Sequence, residues 1–255
     1  ISYLNTRPKS FYRMETTVDG RLFATPRGWE DLSRVLKVYE KLDKTMDKQV
    51  VVQYIQHPEI AGDFAAYLEL YYKYQTDYQI EEVLQGRIDD ILLKKIRHAS
   101  FDERLSVMSL LLSRVNQAFR NTCRREELLD FLYEKLQGAR EALNGPWRDD
   151  PLLWMEDLVE NTKRQLEKMR DAELLDREGE HLHRNGIEIL ERYLLDLRKE
   201  GLTDGSLCFE RLSGWFDLAG EELDAVYAES GAYLEHVFDF MEAAFGGGQE
   251  MVVFL

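Results

Sequence analysis

Proline is scarce in this chain, with 5 in 255 residues, and long stretches lack both proline and glycine. Both residues interrupt helices, so their scarcity predicts a mostly helical protein. Cysteine is scarcer still. Cys123 and Cys208 stand far apart and make no disulfide framework, so a reduced, cytoplasmic setting is expected. No apolar run approaches the roughly 18 residues that cross a bilayer. The longest, "LSVMSLLL" at 105–112, is broken by serines and followed by Arg114. The opening "ISYLNTRPKS" lacks the basic end, apolar stretch and small-residue site of a secretory signal. Catalytic signatures are missing too: there is no G-x-S-x-G elbow, no G-x-x-x-x-G-K-[ST] phosphate loop, and neither cysteine has a reactive context. Self-similarity at the roughly 34- or 40-residue periods of helical solenoids is also absent.

What is present is a core-forming composition with uneven charge. Hydrophobic residues make up 44% and aromatics 11%, which excludes an intrinsically disordered chain. Residues 1–86 carry 11 Lys and Arg against 13 Asp and Glu, residues 87–148 carry 12 against 9, and residues 149–255 carry 10 against 26. Nearly all of the net charge of −15 therefore sits in the last 107 residues. Such an acidic half repels nucleic acid and anionic membranes and attracts basic partners. No nucleic-acid or membrane partner is expected. A solubilising acidic face accounts for the same distribution.

The pattern along the chain predicts an all-α fold with a short N-terminal hairpin. Asp19-Gly20 is a turn signal between extended residues. Thr25 and Pro26 open a helix whose apolar face is Leu32, Val35, Leu36, Tyr39 and Leu42. Further helices are expected over 48–56, from Pro58 with a stripe of Ile60, Phe64, Tyr67, Leu68, Tyr71 and Tyr74, and over 78–86 with a glycine stop. These four helices predict a small bundle over 1–86. Residues 87–255 are then a larger helical domain, acidic in its second half. Its helices are expected over 101–121, 126–143, 151–175, 178–199 and 221–245, with "NGPWRDDP" at 144–151 the clearest breaker. Gly246, Gly247 and Gly248 stop the last helix, and "QEMVVFL" follows.

Two places invite chemistry. Glu178 and Glu180 each stand three residues before a histidine, His181 and His183, the ligand spacing of di-iron bundles. No second Glu-x-x-His pair exists: His57, His98 and His236 lack a glutamate at that spacing. The overlapping pairs read as charged surface, and no metal site is expected. The other place is Arg27. A cation in the first turn of a helix opposes the macrodipole by about 0.3–1 kcal/mol. Glu30 and Asp31, three and four residues on, can pair with it. Equally, free helix N–H groups and a guanidinium can hold an external phosphate. The residues alone leave both open.

"FATPRGWEDLSRVL" resembles the sensor-2 segment that opens the small helical lid of MoxR-type AAA+ ATPases. "YIQHPEIAGDFAAYLELYYKY" and "FDFMEAAFGGGQEMVVFL" look like lid continuation and tail in a branch of that family. The resemblance covers the first third of the chain. It implies that residues 1–86 are an AAA+ lid-like domain, that Arg27 is the sensor-2 arginine acting on the γ-phosphate, and that Thr25, Pro26 and Arg27 form the cofactor-contacting motif. It also implies ATP and magnesium as cofactors of the whole protein, a missing N-terminal AAA+ core, a homo-oligomeric ring, and chaperone-like work beside a von Willebrand A-domain protein. The Walker A and B residues would belong to that missing core, so the resemblance implies that this chain does not hydrolyse ATP alone. It begins without Met and ends on "VVFL" with no polar tail, so it is expected to be truncated, and the resemblance implies that it is the C-terminal portion of an ATPase. Gly28-Trp29 departs from the small residue many relatives have after the arginine, so a different packing is expected there. A free-standing acidic helical scaffold that binds a protein partner is the alternative from another class.

Overall fold

The computed structural model describes residues 3–4, 7–18, 20–42 and 44–254, without the side chain of Val253. Among these residues the protein is all-α apart from one two-stranded hairpin. A short 3-10 turn, Pro8–Ser10, precedes strands β1 (Arg13–Thr17) and β2 (Gly20–Ala24). They pair antiparallel with Arg13 opposite Ala24 and Thr17 opposite Gly20. Asp19, the first half of the expected turn, lies outside the described residues.

The helices are α1 (Pro26–Lys41), α2 (Lys48–Tyr54), α3 (Pro58–Asp77), α4 (Ile80–Leu84), α5 (Asp90–His98), α6 (Phe101–Leu136), α7 (Ala139–Leu143), α8 (Pro151–Asp171), α9 (Arg177–Glu200), α10 (Gly205–Phe245) and α11 (Gln249–Phe254). Side-chain caps set several of their starts. Asp47 accepts from the Val50 N–H at 3.0 Å, Asp89 from Leu92 at 2.6 Å and Asp176 from Gly179 at 2.8 Å. Gly201, with φ of +66°, ends α9 in the left-handed conformation that glycine adopts without strain.

Several boundaries differ from the sequence pattern. The two helices expected over 101–121 and 126–143 are one continuous α6 that breaks only at Gly138, because no proline or glycine interrupts 101–136. Likewise α10 begins at Gly205 and runs through Gly214, Gly220 and Gly231. A glycine inside a helix costs about 1 kcal/mol, which a long packed helix absorbs. α5, absent from the expected elements, is capped by Asp89 and buries Leu92 and Ile96. α11 resumes after the glycine stop, and Leu42 is 60% exposed because the helix ends before it can turn inward.

The chain forms two compact units, residues 1–115 with 232–255, and residues 116–231. The divisions fall within α6 and α10, so Gly86 lies inside the first unit. One core of that unit gathers Trp29 and Leu32 from α1, Val51 from α2, and Ile60, Ala61, Phe64 and Leu68 from α3, with Tyr3, Ala24, Met46 and Ile55. Gly86, at φ of +73°, lies against His236; a Cβ there would stand 2.8 Å from Nε2. The His236 Nδ1 is 2.7 Å from the Leu84 carbonyl. The C-terminal segment is held by Arg104, which donates to Glu250 at 2.7 Å, and by Arg97, which donates to the Ala243 and Ala244 carbonyls.

The second unit has its own core: Phe131 and Leu132 from α6, Ala139 and Leu143 from α7, Met155 and Val159 from α8, Leu190, Tyr193, Leu194 and Leu197 from α9, and Cys208 and Leu212 from α10. Trp215 stacks on Tyr193 at 4.9 Å between centroids, and Arg211 lies over the Trp215 ring while gripping both Glu200 oxygens. Thr122 and Ser230 satisfy each other in the interior at 2.8 Å.

Candidate functional site

The start of α1 is fixed by residues on both sides of Arg27. Thr25 is extended, and its hydroxyl accepts from the Gly28 N–H at 3.2 Å while its carbonyl takes the Trp29 N–H at 3.1 Å. Pro26 supplies the first helical residue, with no N–H to satisfy. Gly28 is demanded by packing: a Cβ there would stand 2.5 Å from the Tyr54 carbonyl at the end of α2. Trp29 turns inward. Its indole N–H donates to the Ser10 carbonyl at 3.0 Å, and its ring sits 5.1 Å from Phe64 and 5.7 Å from Tyr3. Gly28 and Trp29 thus seat α1 against α2 and α3.

With the backbone held, the Arg27 side chain points outward and is 90% exposed. Its Nε lies 3.8 Å from the Asp31 carboxylate, the outer limit of an ion pair. Glu30, the other expected partner, instead accepts from Arg34 at 2.8 Å, and Arg34 also reaches Asp31 at 3.7 Å. The reason is directional: an acid four residues before a base is the better-placed helical pair, and Arg34 follows both acids. Arg34 was the residue the sequence reading missed, although its spacing was visible. The cap has a second consequence. Because Thr25 engages the Gly28 and Trp29 donors, the Arg27 N–H is the first-turn donor that Thr25 leaves unengaged, so this helix start offers fewer free N–H groups than expected.

The structure does not assemble the Glu-x-x-His residues into a ligand set. Glu178 is 3.4 Å from Arg124, and Glu180 accepts from Arg184 at 2.6 Å. His183 packs edge-on to Phe131 at 5.0 Å, and burial pushes its imidazole below the ordinary histidine range. Among the described residues no group of three His, Cys, Asp or Glu side chains is placed to hold a metal ion. Cys208 is buried, which raises its thiol away from the reactive thiolate, and Cys123 is exposed.

A second polar cluster, not legible in the sequence, joins the hairpin to the start of α3. Arg13 donates to Glu15 at 2.7 Å and approaches Glu59 at 3.5 Å, and the buried His57 ring brings Nε2 to 3.4 Å from Glu15. The Arg13 guanidinium holds the Glu15 carboxyl below the usual carboxylate range. Nearby, Tyr3 donates to Asp63 at 2.8 Å, and Arg7 pairs with the same carboxylate at 2.7 Å. Apart from the local Arg13–Glu15 pair, these contacts join residues 42 to 60 positions apart, and nothing in local spacing signals them.

Among the described residues, no helix is long and apolar enough to cross a membrane. Comparison of the chain with family models, with curated proteins and with solved structures gives no match.

Proposed function

We propose that this chain is the lid and C-terminal helical region of a MoxR-like AAA+ ATPase, in which Arg27 contacts the γ-phosphate of ATP held by an N-terminal core. The observation that carries this reading is the state of Arg27: a 90% exposed guanidinium in the first turn of a rigidly seated helix, with its nearest acid at 3.8 Å. An arginine meant only to pair locally has no reason to sit where the macrodipole opposes it and its neighbour takes the better acid. A phosphate satisfies the guanidinium bidentately, and the Arg27 N–H that Thr25 leaves unengaged can join it. In this reading Thr25 and Pro26 hold the helix start, Gly28 and Trp29 make the lid rigid, and Arg27 couples phosphate loss to lid movement. ATP with magnesium, a homo-oligomeric ring and chaperone-like remodelling beside a von Willebrand A-domain protein belong to the same proposal.

The test begins with the gene upstream of Ile1, where a Walker A loop within about 250 residues is expected, a typical domain length. The intact gene product should hydrolyse ATP in a magnesium-dependent way. An upstream region without that loop, or an intact product without ATPase activity, overturns the proposal.

A second reading, an acidic helical scaffold that binds a basic partner, is favoured by one observation: residues 149–255 carry 10 Lys and Arg against 26 Asp and Glu. It predicts salt-sensitive capture of a basic protein and no ATPase activity in the intact product.

A further inference from the structure

In the second compact unit, α6 and α10 run side by side with a groove between them. Tyr133 on α6 and Phe216 on α10 face each other with centroids 6.2 Å apart. They wall an open cavity of about 150 Å³, whose other lining includes Leu136, Phe209, Leu212 and Ser213. A cavity near this volume takes one benzene-sized group. Gly220 stands one helical turn beyond Phe216, and a Cβ built on it would meet nothing within 4 Å, so no side chain packs against α10 there.

Past the cavity the groove turns acidic. The Tyr227 hydroxyl is hydrogen-bonded to Glu126, with Asp130 close by, and these carboxylates push the phenol up to about 12. On α10, Glu210, Asp217 and Asp224 recur every seventh residue and so line one flank of the groove. Between 205 and 231, α10 carries six Asp and Glu against Arg211 alone, and Arg211 is already bound to Glu200. Among the described residues, Glu126, Asp130, Glu210, Asp217 and Asp224 are not paired with any cation.

We propose that this groove binds a basic amphipathic segment of a partner protein, with one apolar side chain in the Tyr133–Phe216 cavity and lysines or arginines against Glu126, Asp130, Asp217 and Asp224. A second copy of the chain is the wrong occupant, because its matching face would bring like charge to like. Nucleic acid and anionic lipid are repelled for the same reason. The surface lies within residues 116–231 and does not depend on Arg27.

The test uses a fluorescein-labelled 16-residue helical peptide with a central Phe and lysines four, seven and eight positions away. Two controls replace that Phe by Ala or every Lys by Glu, and binding to the full chain is read by fluorescence anisotropy. The Lys peptide should bind saturably and weaken severalfold between 50 and 300 mM salt, because exposed charge pairs are screened within about 10 Å. Either peptide control should bind at least tenfold more weakly. Two protein variants probe the groove: Ser213→Trp, which fills the cavity, and the double change Asp217→Lys with Asp224→Lys, which reverses its flank. Each should weaken the Lys peptide at least tenfold while keeping the helical circular dichroism of the parent. If Ser213→Trp fails to fold, the double variant decides alone. Equal binding of Lys and Glu peptides, unchanged binding by the folded variants, or a dimer in sedimentation that Ser213→Trp dissolves would each overturn the proposal.

Discussion

Thr25 closes the first turn of α1 with its side chain and its carbonyl, so Thr25→Ala should cost about 1 kcal/mol in chemical denaturation. Gly28 and Trp29 carry more. Gly28→Ala drives a methyl group into the Tyr54 backbone and should cost about 1–3 kcal/mol. Trp29→Ala empties a site 8% exposed between Tyr3 and Phe64 and should cost about 3–5 kcal/mol. Arg27 lies among these residues yet holds almost nothing. Its side chain is 90% exposed and its one ion pair is long, so Arg27→Ala should stay within about 0.5 kcal/mol of the parent. On the proposed reading, that contrast separates residues kept for the fold from one kept for a phosphate. The cap and the odd cation were legible in "TPR", because both follow from local helix chemistry. The capture of Glu30 by Arg34 also followed local spacing, but two arginines compete for the same acids and only the structure ranks them.

At the scale of elements, α10 shows why helix ends are harder to read than helix faces. The sequence pattern placed a helix only over 221–245, yet α10 begins at Gly205, and Gly214 within it is exposed, with a Cβ built on it meeting nothing within 4 Å. Gly214→Ala should therefore stabilise the protein by about 0.5–1 kcal/mol, chiefly by restricting the unfolded chain, and thermal melting reads this directly. Carboxylates that anchor element ends set the acid limit. Asp204 caps α10 through the Leu207 and Ser206 N–H groups, which hold its carboxyl below its ordinary range. Arg104 does the same for Glu250 in α11, and Arg13 for Glu15 in β1. A carboxyl depressed on folding contributes stability that is complete above its unfolded value and is lost as pH falls through the folded one. Urea midpoints should begin to decline below about pH 6.5, where His183 charges more readily in the unfolded chain than in its buried folded site, and fall steeply below about 5, since unperturbed Asp and Glu titrate near 4. Glu250→Gln should lower the pH 7 midpoint and flatten the acid fall. A parent midpoint unchanged at pH 3 would contradict this account.

For the whole molecule, composition was the reliable guide to class: scarce proline, scarce cysteine and helical periodicity led to an all-α chain with one hairpin. The same information could not place the compact units, whose divisions fall inside unbroken helices where no linker composition marks them. Nor could it find the long-range ties that close the first unit, such as His236 to Leu84 or Arg104 to Glu250, since they join residues 146 to 152 positions apart. Function divides along similar lines. The Arg27 proposal rests on residues 25–29, and the groove proposal on residues 126–227, so failure of one leaves the other standing. The most direct measurement is steady-state ATP turnover by the intact gene product, with Arg27→Ala compared against Arg34→Ala. The two arginines lie on the same helix, but Arg34 is engaged by Glu30 and Asp31. Arg27→Ala should lose at least about tenfold in turnover, some 1.4 kcal/mol of transition-state stabilisation, without losing thermal stability, while Arg34→Ala keeps the parent rate. Parent-like turnover by Arg27→Ala would contradict the assignment of a phosphate to that side chain.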